Sequence, residues 1–128
     1  MPITAIPTPN TNQFSIWAWE EGGECPVLEF LERLEKDSNS DAARLLYLFA
    51  RTAEHRHPNN EQQCKHLDDG IWEFKASNGA RVLWFYDEGR IIVCTHGFVK
   101  KKQKTPPEEI RRAKRIRKKY FEEKNDEQ

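Results

Sequence analysis

The amino-acid sequence predicts an α+β fold, in which an N-terminal strand and a helical hairpin pack on a twisted antiparallel β-sheet and a basic C-terminal helix follows. Three observations predict it. Two segments before Pro58 have apolar residues at helical spacing, three later segments alternate as strands do, and a helix-capping sequence follows them. A chain of 128 residues is long enough for one hydrophobic core. We therefore predict a flexible arm at residues 1–13, one domain at 14–121 and a charged tail at 122–128.

The first predicted elements are a strand and two helices. The segment FSIWAW (Phe14–Trp19) alternates in side-chain direction and is rich in aromatic residues, which favours a strand. Pro26 suits the first turn of a helix, and the segment that it begins, PVLEFLERLEK, has apolar residues three and four positions apart. The residues DSNS then offer a cap for a second helix, whose apolar stripe continues until Pro58. These two helices form the predicted hairpin.

The next part of the sequence predicts three neighbouring strands and a final helix. IWEFKA, ARVLWFY and RIIVCTHGF are aromatic or β-branched runs, and the turn sequences SNG and DEG separate them. They predict an antiparallel three-stranded meander. Thr105 and Glu108 form a Thr-x-x-Glu capping box with two prolines between them, so we predict a helix from there to about Phe121.

Composition narrows the class of protein. Three cysteines are too few for a disulfide framework and an odd number favours a reducing compartment, so we expect a cytoplasmic protein. The chain has neither the pattern of a secretion signal nor an apolar run long enough to cross a membrane. Glycine-rich phosphate loops are missing, and the Cys and His spacing between His55 and His66 matches no established zinc motif. We therefore predict no cofactor and no metal.

Charge is unevenly distributed along the chain. Residues 1–74 have 6 Lys or Arg against 13 Asp or Glu, a net charge of −7, while residues 75–124 have 15 against 6, a net charge of +9. Such a division indicates a polyanionic partner for the basic half, because the summed field attracts phosphates even when the total charge is near zero. A well-solvated surface is the alternative.

Lysines crowded into one predicted loop form the first candidate site. They are Lys100, Lys101, Lys102 and Lys104. Their ammonium groups repel one another, which lowers the pKa of at least one, so the loop suits both a phosphate clamp and a proton donor or acceptor. A solvated loop is the alternative. The following helix carries Arg111, Arg112 and Arg115 among its basic residues, and these either contact RNA or form a polar exterior.

Two further candidates lie in the meander. Alternation puts Arg81 on a strand face with apolar neighbours, where an arginine often binds an anion, and a buried salt bridge to Glu73 or Asp87 is the alternative. His96 ends the last strand, and its unperturbed pKa near 6.5 suits a general acid or base. A histidine that is only hydrogen-bonded at a strand end is the commoner outcome.

Several segments together resemble a known family. CPVLEFLERL, KHLDDGIWEFK and ARVLWFYDEGRIIVCTHGFVKKKQKTPPEEIRRAKR are similar to segments of the RelE/HigB superfamily of bacterial toxins, specifically its phage-derived HigB-like branch. The resemblance covers Phe14 to about Tyr120, and HGFVKKKQKTP is its most specific segment. It implies a RelE-like fold and an mRNA endonuclease of a type II toxin-antitoxin system. Such an enzyme usually acts on transcripts in the ribosome, and a helix-turn-helix antitoxin inhibits it.

The same resemblance implies the site residues. The catalytic candidates are Arg81, Lys75, His96, Lys101 and Lys104, and the RNA-binding candidates are Lys100, Lys102, Gln103, Arg111, Arg112 and Arg115. Lys75 departs from the family arginine at its position, because it keeps the charge but not the planar fork that binds phosphate through two hydrogen bonds.

The implied reaction suits these residues. RNA is cut without a metal when its own 2′-OH attacks the adjacent phosphorus, so the protein has to orient the RNA, move protons and stabilise negative charge. Arg81 and Lys75 are assigned to the phosphate, and the general acid or base is either His96 or a lysine of residues 100–104. A non-catalytic RNA- or ribosome-binding module derived from such a toxin is the alternative, and Lys75 in place of arginine favours it.

Overall fold

The structure is a computed structural model that describes residues 2–8, 13–101 and 104–126. These residues form three helices and six strands. The helices are α1 (Pro26–Lys36), α2 (Asp41–His55) and α3 (Pro107–Asp126). The strands are β1 (Ile3–Ala5), β2 (Ser15–Trp19), β3 (Cys64–Asp68), β4 (Ile71–Lys75), β5 (Ala80–Asp87) and β6 (Ile91–Val99). No helix of the described residues is long and apolar enough to cross a membrane.

The strands form one mixed sheet in the order β1-β2-β6-β5-β4-β3. Its centre is the predicted antiparallel meander of β4, β5 and β6, so that part of the prediction is confirmed. The prediction of an entirely antiparallel sheet is wrong, because β2 pairs with β6 in parallel, from Ser15 beside Ile91 to Ala18 beside Cys94. Side chains alternate with the same period in parallel and antiparallel strands, so the sequence pattern does not distinguish the two.

Two short strands lie where none was predicted. β1 falls within the predicted flexible arm, yet it pairs antiparallel with β2, and Ile6 directly after it is buried. β3 follows the loop after α2 and pairs antiparallel with β4. Both strands are at the edges of the sheet, where a short segment shows no clear alternation and takes its conformation from the neighbouring strand.

Helices cover both faces of the sheet. On one face α1 and α2 pack through Phe30, Leu45 and Phe49 against Phe74 and Trp84 of the meander. The opposite face is covered by α3, whose apolar stripe is Ala113, Ile116 and Tyr120. Because both faces are buried, four consecutive residues of β5, from Val82 to Phe85, are inaccessible to solvent.

The last helix begins and ends differently from the prediction. Its first residue is Pro107, and the hydroxyl of Thr105 donates to the Glu73 carboxylate, so the predicted capping box does not form. The helix continues to Asp126, and residues 122–126 of the predicted tail are therefore helical. Tyr120 holds it to the sheet, because its hydroxyl donates to Asp87 at 2.6 Å.

Candidate functional site

A cleft lined by lysines opens between the edge of the sheet and the start of α3. Its volume is about 240 Å³, and its lining includes four lysines: Lys65, Lys75, Lys100 and Lys104. Leu67 and Ile110 supply apolar wall, and the buried Glu73 lies at its inner side with Thr105. We call this the lysine cleft. It gathers cations from β3, β4 and the segment between β6 and α3.

Strand register brings these lysines together. Lys65 of β3 lies opposite Glu73 of β4, and Lys75 follows two residues later on the same face. The Lys100 backbone N–H donates to the Gly79 carbonyl at 2.7 Å, which holds the end of β6 beside the turn between β4 and β5. Gly79 has a φ of +99°, and a Cβ there would lie 2.9 Å from the Lys100 carbonyl oxygen, so this approach requires glycine.

The electrostatics of the cleft favour an anion. The pKa of Lys100 is lowered, mainly by partial burial and then by the positive charges of Arg81, Lys75 and Lys65, while Glu73 opposes the shift. A lowered pKa means that more of Lys100 is neutral near physiological pH. The cleft therefore combines an attraction for phosphate with an amine that is neutral, and so able to accept a proton, more often than an ordinary lysine is.

Arg81 is engaged by the protein itself. Its Nη1 donates to the carbonyls of Ala76 and Ala80 at 2.8 and 2.9 Å, and its Nε lies 3.8 Å from the Glu73 carboxylate. Anion binding and a buried salt bridge were the two roles predicted for Arg81, and the observed geometry corresponds to the salt bridge with Glu73. Its guanidinium stabilises the turn between β4 and β5 and the carboxylate beneath the cleft.

His96 lies under α3 and is fully buried. Its Nε2 is 3.1 Å from a Glu109 carboxylate oxygen and its Nδ1 is 2.9 Å from the Thr95 hydroxyl. Burial, with the positive charges of Arg112 and Arg115, lowers the pKa of His96 to about 3. The Glu109 carboxylate favours the protonated imidazole, but loss of hydration outweighs it. A neutral imidazole closed off from solvent has no access to RNA, so we leave His96 out of the catalytic set.

The remaining candidates divide between two surfaces. Lys101 is exposed and lines a second cavity of about 420 Å³, which shares Lys104 with the lysine cleft. Arg111, Arg112 and Arg115 are exposed on α3, and within the described residues none of them forms an ion pair. The two remaining candidates, Lys102 and Gln103, lie outside the described residues.

One cleft residue was missed by the sequence reasoning. Lys65 stands in a polar stretch without recognisable periodicity, 35 positions before Lys100. Only the pairing of β3 with β4 brings it to the cleft. Lys65 is the first residue of the KHLDDGIWEFK segment, which carries part of the family resemblance. Membership of that segment was the one feature of the sequence that pointed to Lys65.

The potential metal ligands and thiols of the described residues do not form a reactive site. Among the described residues, no three or more His, Cys, Asp or Glu side chains cluster in a way that could hold a metal ion. Burial raises the pKa of the Cys64 thiol to about 12, so this cysteine is protonated and unreactive at neutral pH.

Fold and cleft together define an α+β protein that concentrates cations at the meeting point of a sheet edge and a basic helix. The sequence model of the family described as phage-derived protein Gp49-like (DUF891) matches residues 29–118. The chain belongs to this toxin-like family, which is part of the RelE/HigB-like toxin superfamily. Three helices on a six-stranded mixed sheet also fit the general RelE-like fold. No match was found among curated proteins.

Proposed function

We propose that this protein is the toxin of a type II toxin-antitoxin system and that it cleaves mRNA in the cytoplasm. Membership of a toxin-like family supports the first part. The observation that carries the second is the lysine cleft, in which four lysines line a cavity of about 240 Å³. A cognate helix-turn-helix antitoxin is the proposed inhibitor, and a transcript held by the ribosome is the proposed substrate.

The proposed reaction is a metal-independent transesterification. The 2′-oxygen attacks the adjacent phosphorus as it loses its proton, the bond to the 5′-oxygen breaks, and that oxygen takes up a proton. The products are a 2′,3′-cyclic phosphate and a 5′-hydroxyl. Lys65 and Lys75 would bind the phosphate, neutral Lys100 would take the 2′-OH proton, and Lys104 would supply the leaving-group proton.

A second function is favoured by specific observations. Arg81 is held by backbone carbonyls and Glu73, and His96 is buried, so two side chains that could assist catalysis are engaged elsewhere. Lysine in place of arginine at position 75 also weakens bidentate binding of a phosphate. These features favour a protein that binds RNA or the ribosome through the lysine cleft without cutting RNA.

Controlled expression in a bacterial host separates the two functions. Growth and the 5′ ends of cellular mRNA are followed for the wild type, Lys75→Ala, Lys100→Ala and the control Lys118→Ala. Lys118 is an exposed α3 lysine without an ion pair among the described residues. We expect growth arrest and new mRNA ends with the wild type and the control, and neither with the two cleft variants.

Two other outcomes have a clear meaning. Arrest with intact mRNA, lost in the cleft variants, would support the binding module. Normal growth and intact mRNA from folded wild-type protein would contradict both functions. A parallel culture treated with an inhibitor of translation initiation tests whether cleavage depends on the ribosome. Cleavage that needs a translated transcript stops when initiation is blocked.

A further inference from the structure

The outward face of α2 carries an apolar stripe. Ala43, Leu46, Tyr47 and Ala50 lie at positions i, i+3, i+4 and i+7, which is one side of a helix. Leu46 is 41% exposed and Tyr47 is 52% exposed. The described residues include three exposed large hydrophobic side chains, and two of them are in this stripe. We call these four residues the α2 stripe.

The neighbouring helix shows that the fold does not require this stripe. α1 lies in the same layer, and its outward residues Glu29, Glu32, Arg33 and Lys36 are all charged and exposed. Lys36 and Glu32 form an ion pair at 3.3 Å. Both helices have a separate apolar side buried against the sheet, so the α2 stripe is additional to the core. An apolar face that core packing does not explain indicates a binding surface.

A basic edge runs along one side of the α2 stripe. Arg44 and Arg51 are seven residues apart, so helical geometry puts both on the same flank. The Arg44 guanidinium lies over the Tyr47 ring, 5.0 Å from its centre. Among the described residues neither arginine forms an ion pair. Glu54 at the end of the stripe lies 3.6 Å from His55 and, among the described residues, pairs with neither arginine.

We propose that the α2 stripe binds an amphipathic α-helix of another protein, with acidic residues along the edge that meets Arg44 and Arg51. Tyrosine and arginine are among the side chains that most often dominate the binding energy of protein interfaces, and Arg44 and Tyr47 are already in contact. The stripe spans about 11 Å at 1.5 Å per residue, which matches two turns of a partner helix. Apolar residues at helical spacing fit the stripe, and Asp or Glu on one flank complement the arginines.

A second copy of this chain fits the same surface less well. In an antiparallel self-pairing the two basic edges lie side by side, and like charges then repel. An acidic partner avoids this repulsion. The inference rests on α2 alone and does not depend on the proposed function.

Binding of two designed peptides tests this inference. Both have 18 residues and the same leucine stripe at helical spacing. They differ only in the charged residues along one edge of that stripe, which are glutamates in one peptide and lysines in the other. Fluorescence anisotropy with the full chain is expected to show at least tenfold tighter binding of the glutamate peptide. Leu46→Gln/Tyr47→Gln and Arg44→Glu/Arg51→Glu should each weaken it at least tenfold, whereas the α1 control Glu32→Gln/Lys36→Gln leaves it unchanged.

Further variants make the result decisive. The α1 and α2 substitutions are on exposed or half-buried helix positions, and circular dichroism checks that each variant is folded. The inference is overturned if both peptides bind equally, or if neither binds at millimolar concentration. It is also overturned if Lys75→Ala/Lys100→Ala removes binding while the α2 variants keep it, because the lysine cleft is then the site. A dimer in sedimentation that Leu46→Gln/Tyr47→Gln abolishes would instead make the stripe a self-interface.

Discussion

At the scale of single residues, the most informative side chain is the buried His96. Its pKa is about 3 in the folded protein and near 6.5 when unfolded, so between these values only the unfolded chain takes up the proton. The free energy of unfolding should therefore fall as the pH falls below about 6.5, by about 1.4 kcal/mol per pH unit. Between pH 7 and pH 5 this amounts to about 2 kcal/mol.

Denaturant unfolding of the wild type and His96→Gln at both pH values measures this contribution. Burial also lowers the pKa of His57, but that residue is common to both proteins and its contribution cancels in the comparison. Between pH 7 and pH 5 the free energy of unfolding should fall by about 2 kcal/mol less in the variant than in the wild type. Equal losses would mean that His96 is protonated in the folded state, and it would then return as a candidate general acid.

A second prediction at this scale concerns Lys100. Arginine keeps the positive charge but does not give up its proton at accessible pH, so Lys100→Arg separates phosphate binding from proton transfer. We expect the affinity for RNA to stay within about threefold and the cleavage rate to fall about 100-fold. The wild-type rate should rise with pH as the neutral lysine becomes more abundant, and this rise should be missing in the variant. Full activity of Lys100→Arg would exclude Lys100 as the base.

At the scale of elements, Gly97 decides how closely α1 approaches β6. A Cβ at this position would overlap the Phe30 ring, which packs directly on the strand. Gly97→Ala should therefore lower the free energy of unfolding by about 1 to 3 kcal/mol, because the ring has to move out of a close-packed core. Adding Phe30→Leu to Gly97→Ala should recover part of that loss. Thermal unfolding of the two single variants and the double variant tests this, and simple additivity would contradict it.

Attachment of α3 to the sheet depends on a different contact. The Tyr120 hydroxyl donates to the buried Asp87, which also accepts from Lys124 at 2.9 Å. Tyr120→Phe removes one hydrogen bond to a charged group and should cost about 1.5 to 3 kcal/mol of unfolding free energy. Tyr47→Phe is the matched control, since Tyr47 is exposed, and it should be neutral. Equal stability of both variants would mean that Lys124 alone satisfies Asp87.

At the scale of the whole molecule, the uneven charge distribution has two roles. Part of the basic half is paired, because among the described residues α3 forms four ion pairs with carboxylates outside it, three of them in the acidic half. These are Lys114 with Asp68, Arg117 with Asp69, Lys119 with Glu21 and Lys124 with Asp87. Such pairs help to orient the helix, although exposed ones contribute little stability each. The cations of the lysine cleft remain for a polyanion, as do the arginines of α3 that form no ion pair among the described residues.

Salt dependence distinguishes this local attraction from a general one. If four lysines neutralise phosphates, the logarithm of the affinity for single-stranded RNA should fall with the logarithm of salt concentration with a slope of about −3. Removing one cleft lysine should make the slope shallower by about 0.7, whereas Lys118→Ala should leave it unchanged. Fluorescence anisotropy between 50 and 300 mM salt measures both slopes. A slope near zero would rule out phosphate binding by the cleft.

What the sequence determined by itself was the local structure. Apolar spacing predicted α1 and α2, and alternation with turn residues predicted β4, β5 and β6, because these patterns reflect which side of each element is buried. The basic character of the last helix and of the segment before it was also evident. The family resemblance predicted the superfamily, and the family match from residue 29 to 118 confirmed that level.

What only the tertiary structure decided was how distant segments meet. The parallel pairing of β2 with β6 depends on a partner far away in the chain, and side-chain alternation does not reveal it. β3 lies next to β4 in the sequence, but it has no clear alternation of its own and is defined by its pairing with β4. The pairing of β3 with β4 brings Lys65 into the lysine cleft, and the packing of α3 on the sheet covers His96. Whether a polar side chain binds a ligand or another part of the protein depends on burial and on its neighbours, and the chain acquires both only when it folds.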